Sequence, residues 1–226
     1  MRVSVIIPAW NEERALPETL AALRELPVAE IVVVDGGSRD ATCEVAFAAG
    51  ARVMRATRGR GAQMHAGANA AIGDVYWFLH ADTRVSREAW EALRKAVTSE
   101  ADLAGGNFSL RFRGESQGAR VIEWLYPRLR TLGLCYGDSG FFVVREKYAA
   151  AGGFSAHPLF EDLDLLRRLR RVGRFVHLEA AVTTSSRRFE GRSFAGVFAR
   201  WVALQTLYWL GASPRWLGSL YAPVRE

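Results

Sequence analysis

The chain has 226 residues, 50% of them hydrophobic, with a formal net charge of +6 and a pI of about 9.8. That length and composition fit one compact domain and exclude a second independent one, while Cys43 and Cys135 show no C-x-x-C spacing, so neither a disulfide framework nor a zinc site is signalled and a reducing compartment is expected. The basic balance suits an anionic partner without choosing one, and 28 of the 30 basic residues are arginine, Lys95 and Lys147 being the exceptions.

In chain order, residues 3–7 read as a β-strand that stops at Pro8. The run is too short for the apolar region of a signal peptide, which gives an expectation of a cytoplasmic protein. A helix is expected over 15–25, a buried strand over 31–34 with Asp35 at its carboxyl end, a helix over 41–49, a short strand over 51–54, a helix over 62–72 and a strand over 75–79, with His80-Ala81-Asp82 where it ends. This alternation predicts β-α-β units around a mostly parallel sheet. Ligands of such sheets bind beyond the carboxyl ends of the strands, where loops converge and helix N-termini offer free N–H groups. The segments 8–12, 35–40 and 80–83 share that rim. The second half is less regular, with strands expected over 106–112 and 140–144 and a helix over 116–130. Leu165, Leu166, Leu169 and Val172 then form a helical stripe with Glu161 and Asp162 in its first turn, where the macrodipole favours acids.

Asp35-Gly36-Gly37-Ser38-Arg39-Asp40 follows a strand and precedes a helix, so its glycines allow close backbone approach while Asp35 can accept from a base or ribose; the bland reading is a turn with Asp40 as N-cap. The first strand lacks the G-x-G-x-x-G that a dinucleotide site needs. Asp82 is placed to hold a divalent cation that bridges diphosphate oxygens, or else to cap a turn. Arg58-Gly59-Arg60-Gly61-Ala62-Gln63 suits phosphate contact, or a solvated basic loop. Arg167-Arg168-Leu169-Arg170-Arg171 lacks aromatic interleaving and reads as a solvated helix face, so no nucleic-acid partner is expected. His157 and His177 are weaker metal candidates, since a lone histidine is more often structural.

Pro8-Ala9-Trp10-Asn11-Glu12, Val34-Asp35-Gly36-Gly37-Ser38-Arg39-Asp40, the Gly61 to Asp74 segment, His80-Ala81-Asp82, Gly152-Gly153-Phe154 and Phe160-Glu161-Asp162-Leu163-Asp164-Leu165 resemble the ordered motifs of family 2 inverting glycosyltransferases with the GT-A fold, over residues 3 to about 172. The resemblance implies a single α/β domain with a Rossmann-like, mostly parallel sheet flanked by helices and a helical C-terminal segment. Residues 1–110 would form the nucleotide-sugar and metal half, 111–190 the acceptor half and 191–226 the helical segment. It implies nucleotide contacts from Pro8, Ala9, Asn11, Glu12, Asp35, Gly36, Arg60, Gln63 and Ala81, and a Mn2+ or Mg2+ ion on Asp82 as the last residue of a D-x-D-like element, with His80 where the family often has the first aspartate. Asp162 is the expected general base and Glu161 its rival. Asp138 and Ser139 would shape the acceptor pocket, and Arg187 and Arg188 would clamp an anionic group. Family frequency favours a uridine diphosphate donor; the acceptor stays unnamed. A nucleotidyltransferase would carry its glycine-rich, arginine-bearing loop after the first strand, where none stands, and a non-catalytic scaffold is the third reading.

Between Phe194 and Ala212 the only strongly polar side chains are Arg200, Gln205 and Thr206. A central arginine is costly in a bilayer, about 2.5 kcal/mol or more, which disfavours a span and leaves three readings: a helix at the inner face of the membrane, packing on the domain, or a homodimer contact.

Overall fold

The computed structural model describes residues 1–114, 116–131, 133–187 and 193–221. Its first half alternates β1 (Val3–Ala9), α1 (Leu16–Arg24), β2 (Glu30–Asp35), α2 (Thr42–Ala48), β3 (Arg52–Arg55), α3 (Arg60–Ala70) and β4 (Val75–Phe78), as the apolar runs predict. Then come α4 (Arg87–Ser99), β5 (Leu103–Arg113), α5 (Gln117–Thr131), a 3-10 turn at Gly137–Ser139, β6 (Phe141–Val144), α6 (Arg145–Ala150), α7 (Glu161–Val172), β7 (Arg174–Ser185), α8 (Phe194–Trp209) and α9 (Pro214–Leu220).

The strands make one sheet in the order β3-β2-β1-β4-β6-β5-β7. All pairs are parallel except those of β6, which runs against β4 and β5. β5 spans residue 110, so the donor and acceptor halves expected from the sequence share this sheet. Both faces are covered, which is why β1 is buried along its whole length. Val3, Val5 and Ile7 enter the core beneath α1 and α4, whereas Ile6 turns to the opposite core, formed with α3 and α7. A third cluster, Leu159, Phe160, Leu163, Leu204 and Leu217, seats α8 and α9 against the start of α7.

Three elements lay outside the expectations, α4, α6 and β7. Ser86 caps α4 by accepting from Ala89 N at 3.2 Å, and the helix buries Ala89, Trp90, Leu93 and Ala96. β7 pairs with β5 at the sheet's edge and ends at Thr184 and Ser185, beside the cleft described next.

Candidate functional site

A cleft of about 260 Å³ opens at the carboxyl rim of β1 and β4 and is lined by Pro8, Ala9, Glu12, Arg60, Gln63, His80, Ala81, Asp82, Asp138 and Arg187 among the residues expected there. Trp10, Arg58, Phe112, Thr184, Ser185 and Tyr221 complete its wall. Arg58 lies over the Trp10 ring, 3.4 Å from its centroid, a cation–π contact that fixes both at the mouth.

The two rim loops are tied to each other. Asn11 N donates to Ser38 Oγ at 2.9 Å and Arg39 N to Asn11 Oδ1 at 2.9 Å; Glu12 N donates to Thr42 Oγ1 at 2.7 Å, Glu13 N to Asp40 Oδ2 at 3.1 Å and Ala41 N to Glu13 Oε2 at 3.0 Å. The Asn11 carboxamide oxygen is thus engaged within the loops. Gln63 performs the same service one layer below. Its Nε2 donates to Ala9 O at 2.9 Å and Val34 O at 2.7 Å, joining the ends of β1 and β2, and its Oε1 accepts from Gly59 N at 3.2 Å. Gly36 packs on that carboxamide, and an added Cβ there would meet Gln63 at 3.1 Å.

Asp35 stands behind the rim. It is fully buried and does not line the cleft; its oxygens accept from Gly37 N at 3.1 Å and Ser38 N at 3.0 Å. Burial pushes its pKa up, and the hydrogen bonds from Ser38, Gly37 and Cys43 outweigh this and hold it below the usual carboxylate value. Here the carboxylate builds the loop. Ser139 needs correction: it is fully buried, because Asn107 on β5 draws its hydroxyl inward at 3.0 Å and that hydroxyl donates to Tyr136 O at 2.7 Å. The polar network under the turn continues from Asn107 to the Tyr126 hydroxyl at 2.8 Å and to His177 Nδ1 at 2.7 Å, so His177 is a structural partner.

His80 Nδ1 lies 2.9 Å from Asp138 Oδ1, and its Nε2 faces Gly137, where an added Cβ would come within 3.0 Å. The ring thus packs against the 137–138 turn while lining the cleft. Asp82 Oδ2 meets Arg187 at 2.8 Å, and the same guanidinium stands 3.7 Å from Glu12 Oε2. Arg187 thus sits on the donor side, bridging two carboxylates, where an anion clamp for the acceptor was expected. Arg188 lies outside the described residues. Among the described residues no group of three or more His, Cys, Asp and Glu is placed to hold a metal ion. Asp82 is a hard oxygen donor on the rim, and Mg2+ or Mn2+ commonly takes one or two carboxylates and completes its shell from substrate phosphate, so the residues present fit a cation held by Asp82 with the substrate.

Behind the cleft a smaller cavity of about 40 Å³ shares Arg60, Asp138 and Tyr221 with it and reaches Asp162. Phe160, just before α7, holds a left-handed backbone with φ of 62°, which aims the first turn of α7 at this cavity. Gly61 lets α3 approach: a Cβ there would stand 2.4 Å from Ser155 O and 3.2 Å from Glu161 Cβ. The approach brings Arg60 Nε to 3.0 Å from Glu161 Oε1, and Glu161 raises the arginine's pKa further. Asp162 is the less neutralised of the two acids. Its Oδ2 accepts from Gly137 N at 2.8 Å, yet burial, and then the charge of Glu161, push its pKa up to about 6. A carboxylate poised there, in a cavity that borders the cleft, has the properties of a general base.

The model of glycosyl transferase family 2 matches residues 4–150, well over half the chain. The chain belongs to that family. Within the family, the chain is 36% identical over 101 residues to a 4,4'-diaponeurosporenoate glycosyltransferase of Staphylococcus haemolyticus (40% of this chain, 27% of that protein). It is 35% identical over 135 residues to an undecaprenyl-phosphate 4-deoxy-4-formamido-L-arabinose transferase of Pseudomonas aeruginosa (54% and 38%). The stretches matched are less than half the length of these relatives. Among solved structures, glucosyl-3-phosphoglycerate synthase from Mycobacterium tuberculosis, in complex with Mn2+, UDP and glucosyl-3-phosphoglycerate, superposes with a TM-score of 0.65 at 21% identity, covering 92% of this chain and 79% of that one. S. aureus TarS 1–349 gives 0.66 at 18% identity, covering 92% and 66%. At these identities the likeness is one of fold, and that fold is GT-A.

Proposed function

We propose that this family 2 member is an inverting glycosyltransferase: it holds a nucleotide diphosphate sugar in the rim cleft and passes the sugar to an acceptor hydroxyl that Asp162 deprotonates. The observation that carries this reading is Asp162 itself, a buried carboxylate with a raised pKa in a cavity that shares Arg60, Asp138 and Tyr221 with the cleft. The Pro8-to-Glu12 loop forms the nucleoside end of the cleft, and Arg58 and Arg60 face the diphosphate. As the acceptor oxygen bonds to the anomeric carbon, the bond from that carbon to the diphosphate oxygen breaks with its electron pair leaving on the nucleotide, and the acceptor proton moves to Asp162. Attack opposite the leaving group inverts the anomeric centre without a covalent sugar–enzyme intermediate. A divalent cation, Mn2+ or Mg2+, would be held by Asp82 and would offset charge on the departing diphosphate. For that to happen Arg187 must release Asp82, and a guanidinium freed at that point can pair with a phosphate oxygen instead. The Mn2+ and UDP in the mycobacterial synthase support a metal-assisted uridine diphosphate donor.

Incubation with UDP, GDP and dTDP sugars and manganese tests this. Release of free nucleoside diphosphate is the expected result. With pyrophosphate added, formation of nucleoside triphosphate and sugar 1-phosphate would mean a nucleotidyltransferase, and donor binding without turnover on any sugar would mean a scaffold.

A further inference from the structure

α8 has two apolar sides, and only one is used. Its inner side is seated firmly: Leu204 and Gln205 are buried, the Tyr136 hydroxyl donates to Gln205 Oε1 at 3.2 Å, and Tyr208 packs on Phe160 with ring centroids 4.7 Å apart. α9 is held as closely, with Leu217 fully buried and Gly218 against Pro158, where a Cβ would come within 2.5 Å. The outer side carries Ala195, Ala199, Val202, Thr206 and Trp209, whose spacing of four, three, four and three residues puts them on one face, all exposed. Thr206 does not interrupt it, because its hydroxyl donates back to Val202 O at 2.9 Å. Leu210 at the turn and Trp216 and Leu220 on α9 extend the apolar surface; Trp209 is 58% exposed, Leu210 79% and Trp216 52%.

Charge narrows what can cover this face. Residues 193–221 contain Arg200 and Arg215 and no acidic side chain, on a chain of net charge +6. Arg200 reaches across to Leu220 O, so one guanidinium is fixed between the two helices. A two-fold contact with a second copy would set this basic face against itself, whereas an anionic lipid surface matches both its apolar stripe and its sign. Tryptophan has an apolar ring with one polar N–H and favours the water–lipid boundary, and two of the exposed residues are tryptophan. The sixteen residues of α8 extend about 24 Å, short of a hydrocarbon core of about 30 Å, and none of the described helices is long and apolar enough to cross a membrane.

We propose that the α8–α9 hairpin is a peripheral docking element that lies on an anionic lipid bilayer, with Trp209, Leu210 and Trp216 in the interface and Arg215 at the headgroups. The inner wall of the same hairpin contributes Trp201, Leu204 and Tyr221 to the cavity over Asp162, so docking would hold that cavity beside the membrane surface. This goes beyond the glycosyl-transfer reading, and its test uses neither donor nor acceptor, so either can fail alone.

The full chain is sedimented with vesicles of phosphatidylcholine and with vesicles in which phosphatidylglycerol replaces part of it. Binding to the anionic vesicles, weakened by salt, is expected. Trp209→Ser with Leu210→Ser should lower that affinity about tenfold or more without moving the thermal midpoint, because both side chains stand mostly in solvent. Arg215→Glu should lower it at least about fivefold. A parent chain that stays in the supernatant overturns the proposal, as does a double variant that binds as tightly as the parent. So does sedimentation velocity showing a lipid-free dimer that the double variant turns into a monomer, since the face would then be a self-association surface.

Discussion

On the donor side of the cleft, loops 10–13 and 36–42 spend their polar groups on one another, so that Asn11, Asp35, Asp40 and Gln63 each meet backbone N–H or C=O groups. Across the cleft, Glu161 and Asp162 stand side by side in a buried first turn, served by one arginine, and one Glu161 carboxylate oxygen has no hydrogen-bond partner. The donor-side loops are cross-linked by hydrogen bonds, which suits binding a fixed ligand shape. The other side keeps a carboxylate where its charge is poorly solvated, and a raised pKa is what a proton acceptor near neutral pH requires. The difference implies that substitutions on the two sides should separate binding from rate.

The largest effect belongs to Asp162→Asn. Asparagine keeps the size but cannot take the proton, so turnover should fall about 10²–10⁴-fold while donor affinity measured by calorimetry is unchanged. A weakened donor affinity with normal turnover would break the division between the two sides. Gln63→Leu should do the reverse. It removes hydrogen bonds to Ala9 O, Val34 O and Gly59 N at a cost of about 1–3 kcal/mol, seen as a lower thermal midpoint and a higher donor Kd, with the saturated rate little changed. A third effect lies under the turn that carries Asp138. Burial, and then Arg130 and Arg170, push the His177 pKa down from 6.5 to about 4. Between those values the unfolded chain binds a proton that the folded chain refuses, so stability should fall as pH drops from about 6.5 to about 4, by no more than about 1.4 kcal/mol per pH unit. Denaturant midpoints against pH check this, and in His177→Asn that slope should be shallower.

What could be read from the sequence follows the same division. β1, β2 and β4 are covered on both faces, so they appear as continuous apolar runs, and an acidic residue at the end of such a run falls on the rim by geometry alone. β7 is an edge strand with Arg174, His177 and Glu179 half-buried or exposed, so it shows no apolar run, and with it Thr184 and Ser185 went unseen at the cleft. α4 buries two alanines among its four core positions, a quiet pattern beside its charges. The pairing of Arg187 with Asp82, 105 residues apart, and of His80 with Asp138 depends on how distant strand ends meet. Ser139 sits in a glycine-bearing segment that reads as surface loop, and only Asn107 on another strand explains why it turns inward.

Asp162 as the base is tested most directly by the pH dependence of turnover, in the parent and in Glu161→Gln, with whichever nucleotide sugar proves active. In the parent, turnover should rise with pH through about 6 and then level, as Asp162 gives up its proton. Removing the Glu161 charge takes away a contribution that raises the Asp162 pKa, and Arg60 remains, so the rise should move to lower pH and reach a plateau near the parent's. An unmoved limb would mean that Asp162 does not set it, and a plateau lowered about 10²-fold or more with donor binding intact would make Glu161 the base.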